Sequence, residues 1–294
     1  MSFSSETKKE LCAIGNMTRC CLRAQTGALL LFSRLALDGQ NTVFRTKHGY
    51  IATKISEMTA ACCGVTVDIT YPNADGKRKV YSVCVPFEND RKQILDDFGG
   101  EDFIKASSVS KSCCFSAFLR GAFLACGALT DPKKDYHLEF SVPNEEMCDR
   151  FIALLALKGY NAGKTARKNE MLVYFKDANV IEQMLLEIGA KQAYFDFSEI
   201  RALHDFRNKA QRVTNCECGN LKKTIAAAGD QLQAIKKISE TDGLDSLPEE
   251  LREIAKLRLE NPEMSLMELG NALSKPLTKS GVSHRLKKII ELSK

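Results

Sequence analysis

Near the carboxyl end of this 294-residue chain, Lys279, Ser280, Ser283, His284, Arg285, Lys287 and Lys288 fall within ten residues of one another. Hydroxyls and an imidazole exchange hydrogen bonds with base edges, while ammonium and guanidinium groups meet phosphates, so this mixture suits the reading of duplex DNA. Lys275 and Thr278, just upstream, extend the set. At 100° per residue, Val282, Leu286, Ile289 and Ile290 gather on one side of a helix. Ser280, His284, Lys287 and Lys288 then share the opposite side, with Lys279 and Arg285 toward the flanks. A recognition helix needs this division: apolar residues anchor it, polar residues near its start reach bases, and basic residues hold the backbone. Gly281 costs about 1 kcal/mol of helix propensity there, which a close approach to another backbone would explain. A plain amphipathic helix with a solvated basic face is the alternative reading.

Other chemistry has less support. Cys216 and Cys218 are too tightly spaced for a zinc site and have no second pair nearby. The histidines His48, His137, His204 and His284 are scattered and sit beside no nucleophile motif. Phosphate-cradling and dinucleotide-binding glycine motifs do not occur. There is no tryptophan, and nothing resembles a stacking platform for single strands. Twelve cysteines include the vicinal pairs Cys20–Cys21, Cys62–Cys63 and Cys113–Cys114. Neighbouring cysteines rarely bridge without strain, and the amino terminus has no apolar segment behind its charges, so reduced cytosolic thiols are expected. No catalytic residue, metal ligand or cofactor is assigned from these patterns.

The elements that must carry the basic helix are legible in the tail. Residues 207–294 hold 16 Lys+Arg against 12 Asp+Glu, and residues 1–206 hold 26 against 25, so most of the +5 net charge lies in the tail. From Phe206 to Ile238 only helical patterns occur, with Leu221, Ile225, Ala228, Leu232, Ile235 and Ile238 at spacings of three and four. After a polar break at 241–246, Pro248 opens one helix and Asn261–Pro262 stops it. Ser265 with Glu268 makes a capping box for a second, whose Leu266, Leu269 and Leu273 face inward. Pro276 separates this from the last helix, Lys279–Leu292. Short helices joined by brief turns predict a helix-turn-helix at about 265–292 within an all-α domain of residues 207–294.

The first 206 residues read as an α+β domain made of two pseudo-repeats, about 1–106 and 107–206. A helix over Cys20–Leu37 places Ala24, Gly27, Ala28, Leu31 and Leu35 on one face, and a helix over Cys113–Gly127 does the same with Ala117, Gly121, Ala122 and Ala125. Gly27 and Gly121 lie 94 residues apart, each followed by alanine. Small residues let two helix backbones approach closely, so these helices are expected to pack together about a pseudo-twofold axis in a monomer. Strand Thr42–Thr46, helix Tyr50–Ala61 and a hairpin of 65–71 with 79–85 follow the first, the turn supplied by Pro72, Asn73, Asp75 and Gly76. Strand Tyr136–Val142, helix Asn144–Leu157, hairpin strands 160–165 and 171–175, and helix Val180–Ile188 follow the second. Both halves are α-β-α-β-β-α or close to it. The longest apolar stretch, Gly121–Leu129, is far short of the roughly 20 residues of a membrane span.

Four segments resemble the WhiA family of regulators of sporulation and cell division in Gram-positive bacteria: CCLRAQTGALLLFSRL (20–35), FLRGAFLACGALTDPKKDYHLEF (118–140), RVTNCECGNLKKTIAAAGDQLQAI (212–235) and, most specific, LPEELREIAKLRLENPEMSLMELGNALSKPLTKSGVSHRLKKI (247–289). The resemblance implies a LAGLIDADG homing-endonuclease fold in the first domain. It also implies a helix-turn-helix similar to the promoter-reading region of bacterial sigma factors in the second. In active nucleases of that fold each central helix ends in a metal-holding carboxylate. Aligning Gly27 with Gly121 puts Phe32 and Cys126 at those places. Phe32 cannot bind a metal and Cys126 is a poor ligand for Mg²⁺. The next acids, Asp38 and Asp131, are displaced by about 7–9 Å along a continued helix. The expectation is a non-catalytic, cytoplasmic, nucleoid-associated transcriptional regulator of cell division, chromosome segregation or sporulation that binds double-stranded DNA. Two alternatives stay open: a scaffold acting with a sigma factor or division component, and a residual nuclease using Asp38 and Asp131.

Overall fold

The computed structural model describes residues 2–15, 17–35, 41–71, 80–98, 104, 109–167 and 170–294. Asp38 and the turn residues Pro72, Asn73, Asp75 and Gly76 lie outside the described residues. The chain divides into two compact units, Met1–His204 and Asp205–Lys294.

In the first unit, α1 (Phe3–Cys12) precedes α2 (Arg19–Phe32), β1 (Phe44–Thr46), α3 (Gly49–Cys63), β2 (Asp68–Thr70), β3 (Tyr81–Cys84) and α4 (Glu88–Phe98). Then come α5 (Ser112–Cys126), β4 (Gly127–Leu129), β5 (Leu138–Val142), α6 (Glu145–Leu157), β6 (Gly163–Arg167), β7 (Glu170–Phe175) and α7 (Ala178–Ile188). All strand pairs are antiparallel, in the orders β1-β3-β2 and β4-β5-β7-β6. Setting β1, β3 and β2 against β5, β7 and β6 superposes the two orders, so the duplicated α+β pattern holds at the level of topology. The second set gains β4, and α1 stands outside the expected repeat.

The two central helices pack on each other. A Cβ added at Gly121 would lie 2.4 Å from the Gln25 carbonyl oxygen and 3.0 Å from Ala28 Cβ, so hydrogen at this position is what allows α5 to reach the backbone of α2. Helix α2 stops at Phe32, short of the expected Leu37. Arg34 takes a left-handed φ of 69°, which ends the helical path, and its guanidinium pairs with Glu170 at 2.9 Å. Below the sheets the core is aromatic, with Phe118, Phe123, Phe140 and Phe151 all fully buried. Asn144 caps α6 as expected, its side chain accepting from Met147 N–H.

Helix α8 (Lys191–Thr241) starts in the first unit and ends in the second. In the second unit its closing turns join α9 (Glu249–Glu260), α10 (Leu266–Ala272) and α11 (Lys279–Leu292). Ile235, Ile238, Leu251, Ile254, Leu269, Leu273, Val282, Leu286 and Ile289 form one core there. The apolar residues expected on one face of the long helix divide: Ile235 and Ile238 are buried, whereas Leu221 and Ile225 are about three-fifths exposed, at 60% and 62%. Periodicity registered the helix but not where it has neighbours. No helix among the described residues is long and apolar enough to cross a membrane.

Candidate nucleic-acid interface

Two polar devices hold the last helices in register. The Ser265 side chain accepts from Glu268 N–H and the Ser265 N–H donates to the Glu268 carboxylate at 2.8 Å, closing the expected capping box at the start of α10. That backbone hydrogen bond, with the hydroxyl, holds the Glu268 carboxyl below the usual range. Thr278 caps α11 in turn, its hydroxyl accepting from Gly281 N–H at 3.3 Å. Between these helices the turn closes through Leu277 N–H donating to the Gly270 carbonyl at 3.0 Å. A Cβ at Gly270 would sit 2.3 Å from the Leu277 carbonyl oxygen. The close backbone approach therefore falls on Gly270 and not on Gly281. At Gly281 a Cβ would make ordinary contacts of 3.6–3.7 Å with Leu277 and Thr278, which corrects the expectation drawn from the sequence.

Beneath them Arg258 is a buried anchor. Its guanidinium donates to Gln231 Oε1 at 2.9 and 3.1 Å and to the Met264 carbonyl at 2.6 Å, fastening α9 to the end of α8 and to the turn before α10. Burial lowers its pKa without removing its charge, because five hydrogen-bond donors in a fixed fork are largely satisfied by carbonyl-type acceptors. Glu253 of α9 grips the turn after α10, accepting from Ser274 N–H at 2.6 Å and from its hydroxyl at 3.0 Å. The helix-turn-helix thus stands on a third helix through specific hydrogen bonds as well as apolar packing.

Outward, the sequence-derived residues converge. A surface groove is lined by Lys279, Ser280, Ser283, His284 and Lys287 of α11 together with Leu266 at the start of α10. Lys275, Thr278 and Lys288 are exposed nearby in sequence, on the preceding turn and the same helix. Arg285 differs from the rest: it is mostly covered and donates to the Glu250 carbonyl at 3.2 Å and its carboxylate at 3.3 Å, tying α11 to α9. Helical angle placed it on a flank, and the acid on α9 that claims it has no local sequence signal. Leu266, expected to face inward, packs against the core of this unit and also edges the groove.

The first unit offers a different surface. Alternation along β5 turns Leu138, Phe140 and Val142 inward and Glu139 and Ser141 outward. The outward acids are paired: Glu139 with His137 at 3.0 Å and Arg167 at 3.9 Å, and Glu170 with Arg34. Among the described residues of β5 and β7, these outward acids each have an arginine partner, an arrangement unlike the exposed lysines of α11. At the ends of the central helices Phe32 is 3% exposed and packs edge-on against Phe118 and Phe151. The Cys126 thiol is pushed up to about 12 by burial and donates to the Ala122 carbonyl at 3.3 Å. Lys8 brings an ammonium group to the same helix end, donating to the Leu124 carbonyl at 3.2 Å. Burial lowers its pKa to about 8. An aromatic ring, a neutral thiol and a lysine offer no oxygen ligand to a divalent metal. Asp131 Oδ1 accepts from Lys133 N–H at 3.0 Å in the turn after β4. Cys216 and Cys218 are both exposed on α8.

Residues 210–293 match the family model described as WhiA C-terminal HTH domain, and residues 115–207 match the one described as WhiA LAGLIDADG-like domain. A probable cell division protein WhiA of Oceanobacillus iheyensis is 38% identical over 305 residues, spanning 100% of this chain and 97% of that one. A protein of the same description from Bacillus subtilis is 36% identical, over 100% and 96% of the two chains. Among solved structures, full-length DUF199/WhiA from Thermatoga maritima aligns with 27% identity and a TM-score of 0.57, covering 100% of this chain and 98% of that one.

Proposed function

The chain belongs to the WhiA family, and from that premise we propose that it is a non-catalytic, cytoplasmic, nucleoid-associated DNA-binding regulator of transcription linked to cell division, chromosome segregation or sporulation. The observation that carries this reading is the groove of α11, where Lys279, Ser280, Ser283, His284 and Lys287 face solvent together while the opposite side of the helix is buried. Hydroxyl and imidazole groups in the first turns of the helix enter the major groove and read bases, and Lys275, Lys287 and Lys288 hold phosphates. Thr278 contributes through the cap that orients Ser280 and through its own exposed position. Arg285 contributes by fixing the pitch of α11 on α9. The degenerate endonuclease-like unit acts as a folded partner to this reader and performs no metal-dependent cleavage.

A second reading, a scaffold that works with a sigma factor or a division component, draws support from α8, which leaves Phe206, Leu221 and Ile225 exposed to 73%, 60% and 62%. Genome-wide occupancy of the full chain separates the two. Occupied sites sharing a sequence motif, and lost on substituting Ser280 and His284, support direct reading. Occupancy that follows another factor and is indifferent to both substitutions supports the scaffold.

A further inference from the structure

The vicinal cysteines of the two halves meet. Cys20 and Cys21 are the second and third residues of α2, and Cys113 and Cys114 are the second and third residues of α5. Pairing of the two central helices brings these ends side by side, and the four sulfur atoms all lie within 4.8 Å of one another. We propose that Cys20, Cys21, Cys113 and Cys114 form a mononuclear tetrathiolate zinc site that clips the amino-terminal ends of the two central helices together.

Geometry selects the class of ligand. Four sulfurs at the corners of a tetrahedron with Zn–S bonds of about 2.3 Å stand about 3.8 Å apart. The observed cluster therefore closes around one ion by small side-chain rotations. A polynuclear iron–sulfur cluster interposes several metal and sulfide atoms and spreads its cysteines farther than this set allows. Donor chemistry agrees: four soft thiolates and no oxygen or imidazole select zinc over magnesium or calcium. Binding forms four Zn–S bonds and releases the thiol protons to solvent, with no change of oxidation state.

The two helix starts suit anionic ligands. Each pair sits in the first turn of a helix, where unpaired backbone N–H groups and the positive dipole end stabilise thiolates and offset the net −2 charge of a zinc tetrathiolate. The Thr18 hydroxyl lies 3.3 Å from Cys20 Sγ, and Cys21 Sγ donates to the Cys113 carbonyl at 3.4 Å across the helix pair. Cys20 and Cys113 are exposed and Cys114 is buried, so an ion has an entry path on one side and a closed wall on the other. The third vicinal pair, Cys62–Cys63, has no matching partner pair and is not part of the cluster.

The test is metal content and spectroscopy on the full chain, purified under reductant without a metal-affinity tag. About one equivalent of zinc should remain bound after dialysis. Replacement by Co²⁺ should give the visible ligand-field bands and intense near-ultraviolet sulfur-to-metal charge transfer of a tetrahedral tetrathiolate. Cys20→Ser and Cys113→Ser should each weaken zinc binding by at least about tenfold against a chromophoric chelator. A Cys216→Ser/Cys218→Ser double variant, altered outside the cluster, should keep the full equivalent. Should the single variants fail to fold, the cobalt spectrum and chelator competition of the native chain decide alone. Less than about a tenth of an equivalent after incubation with Zn²⁺ would overturn the proposal. So would an iron–sulfur chromophore, zinc retained undiminished by a folded Cys20→Ser protein, or a disulfide among the four that persists under reductant.

Discussion

Phe32 meets Phe151 edge to face, with ring centroids 5.0 Å apart and planes at 64°. A carboxylate at position 32 would be enclosed by rings and desolvated. Phe32→Asp is therefore expected to cost about 3–5 kcal/mol, as the loss of a buried aromatic plus an unpaired charge, and to create no nuclease. Thermal melting and a plasmid-nicking assay with Mg²⁺ or Mn²⁺ check both halves. The native chain should likewise leave every duplex intact. Cleavage that disappears in Asp38→Ala or Asp131→Ala would establish the residual-nuclease reading.

At Gly121 the expected cost follows from distance. A Cβ only 2.4 Å from the Gln25 carbonyl oxygen cannot be accommodated without parting the helices. Gly121→Ala should destabilise by about 1–3 kcal/mol and Gly121→Leu by more. Denaturant unfolding monitored by circular dichroism measures it, and an unchanged midpoint would mean that α2 and α5 do not meet there.

Gly270 and Gly281 should behave oppositely. Gly270→Ala drives a methyl to 2.3 Å from the Leu277 carbonyl oxygen, so the turn must open and the tail should lose about 1–3 kcal/mol. Gly281→Ala meets ordinary contacts and should gain up to about 1 kcal/mol from helix propensity. Melting curves of the two variants should move in opposite directions.

Local signals in the residues account for some of these elements and not for others. Caps and periodicity carried α6, α10 and α11 well, because Asn144, Ser265 with Glu268, and Val282 with Leu286 act within a turn or two of themselves. The paired glycine helices were legible because small residues have few other uses at such spacing. What needed the fold was every feature set by a distant partner. Glu250 takes Arg285, Leu277 presses on Gly270 rather than Gly281, and the end of α2 depends on a left-handed Arg34 held by Glu170. The meeting of Cys20–Cys21 with Cys113–Cys114 belongs to the same class. Each vicinal pair alone is uninformative, and only the duplication, followed to the helix ends, would have joined them.

Lys8 predicts a dependence on pH. Its pKa falls from 10.5 to about 8 on folding, chiefly through burial. Between those values the unfolded chain binds more protons than the folded one, so this group's contribution to stability rises with pH across that window. Below pH 8 both states are protonated and the full burial penalty, up to about 3 kcal/mol, applies. The stability of the native chain relative to Lys8→Met should therefore increase from about pH 8 to 10.5 and be flat below. A difference that is flat throughout would mean that the ammonium is not desolvated at the end of α5. Paired denaturant titrations at stepped pH provide the curve.

Salt dependence tests the central claim, that residues 247–294 read DNA through α11, most directly. Binding of the full chain to a preferred and a scrambled duplex is measured across a salt series for the native protein and four variants. Lys287→Ala and Lys288→Ala should each weaken binding to both duplexes and reduce the magnitude of the salt slope by about 1, because one fewer counterion is released. Ser280→Ala and His284→Ala should cost about 1–3 kcal/mol on the preferred duplex alone and leave the slope unchanged. Lysine variants that alter neither affinity nor slope, with serine and histidine variants equally silent, would contradict the account and make α11 a packing element.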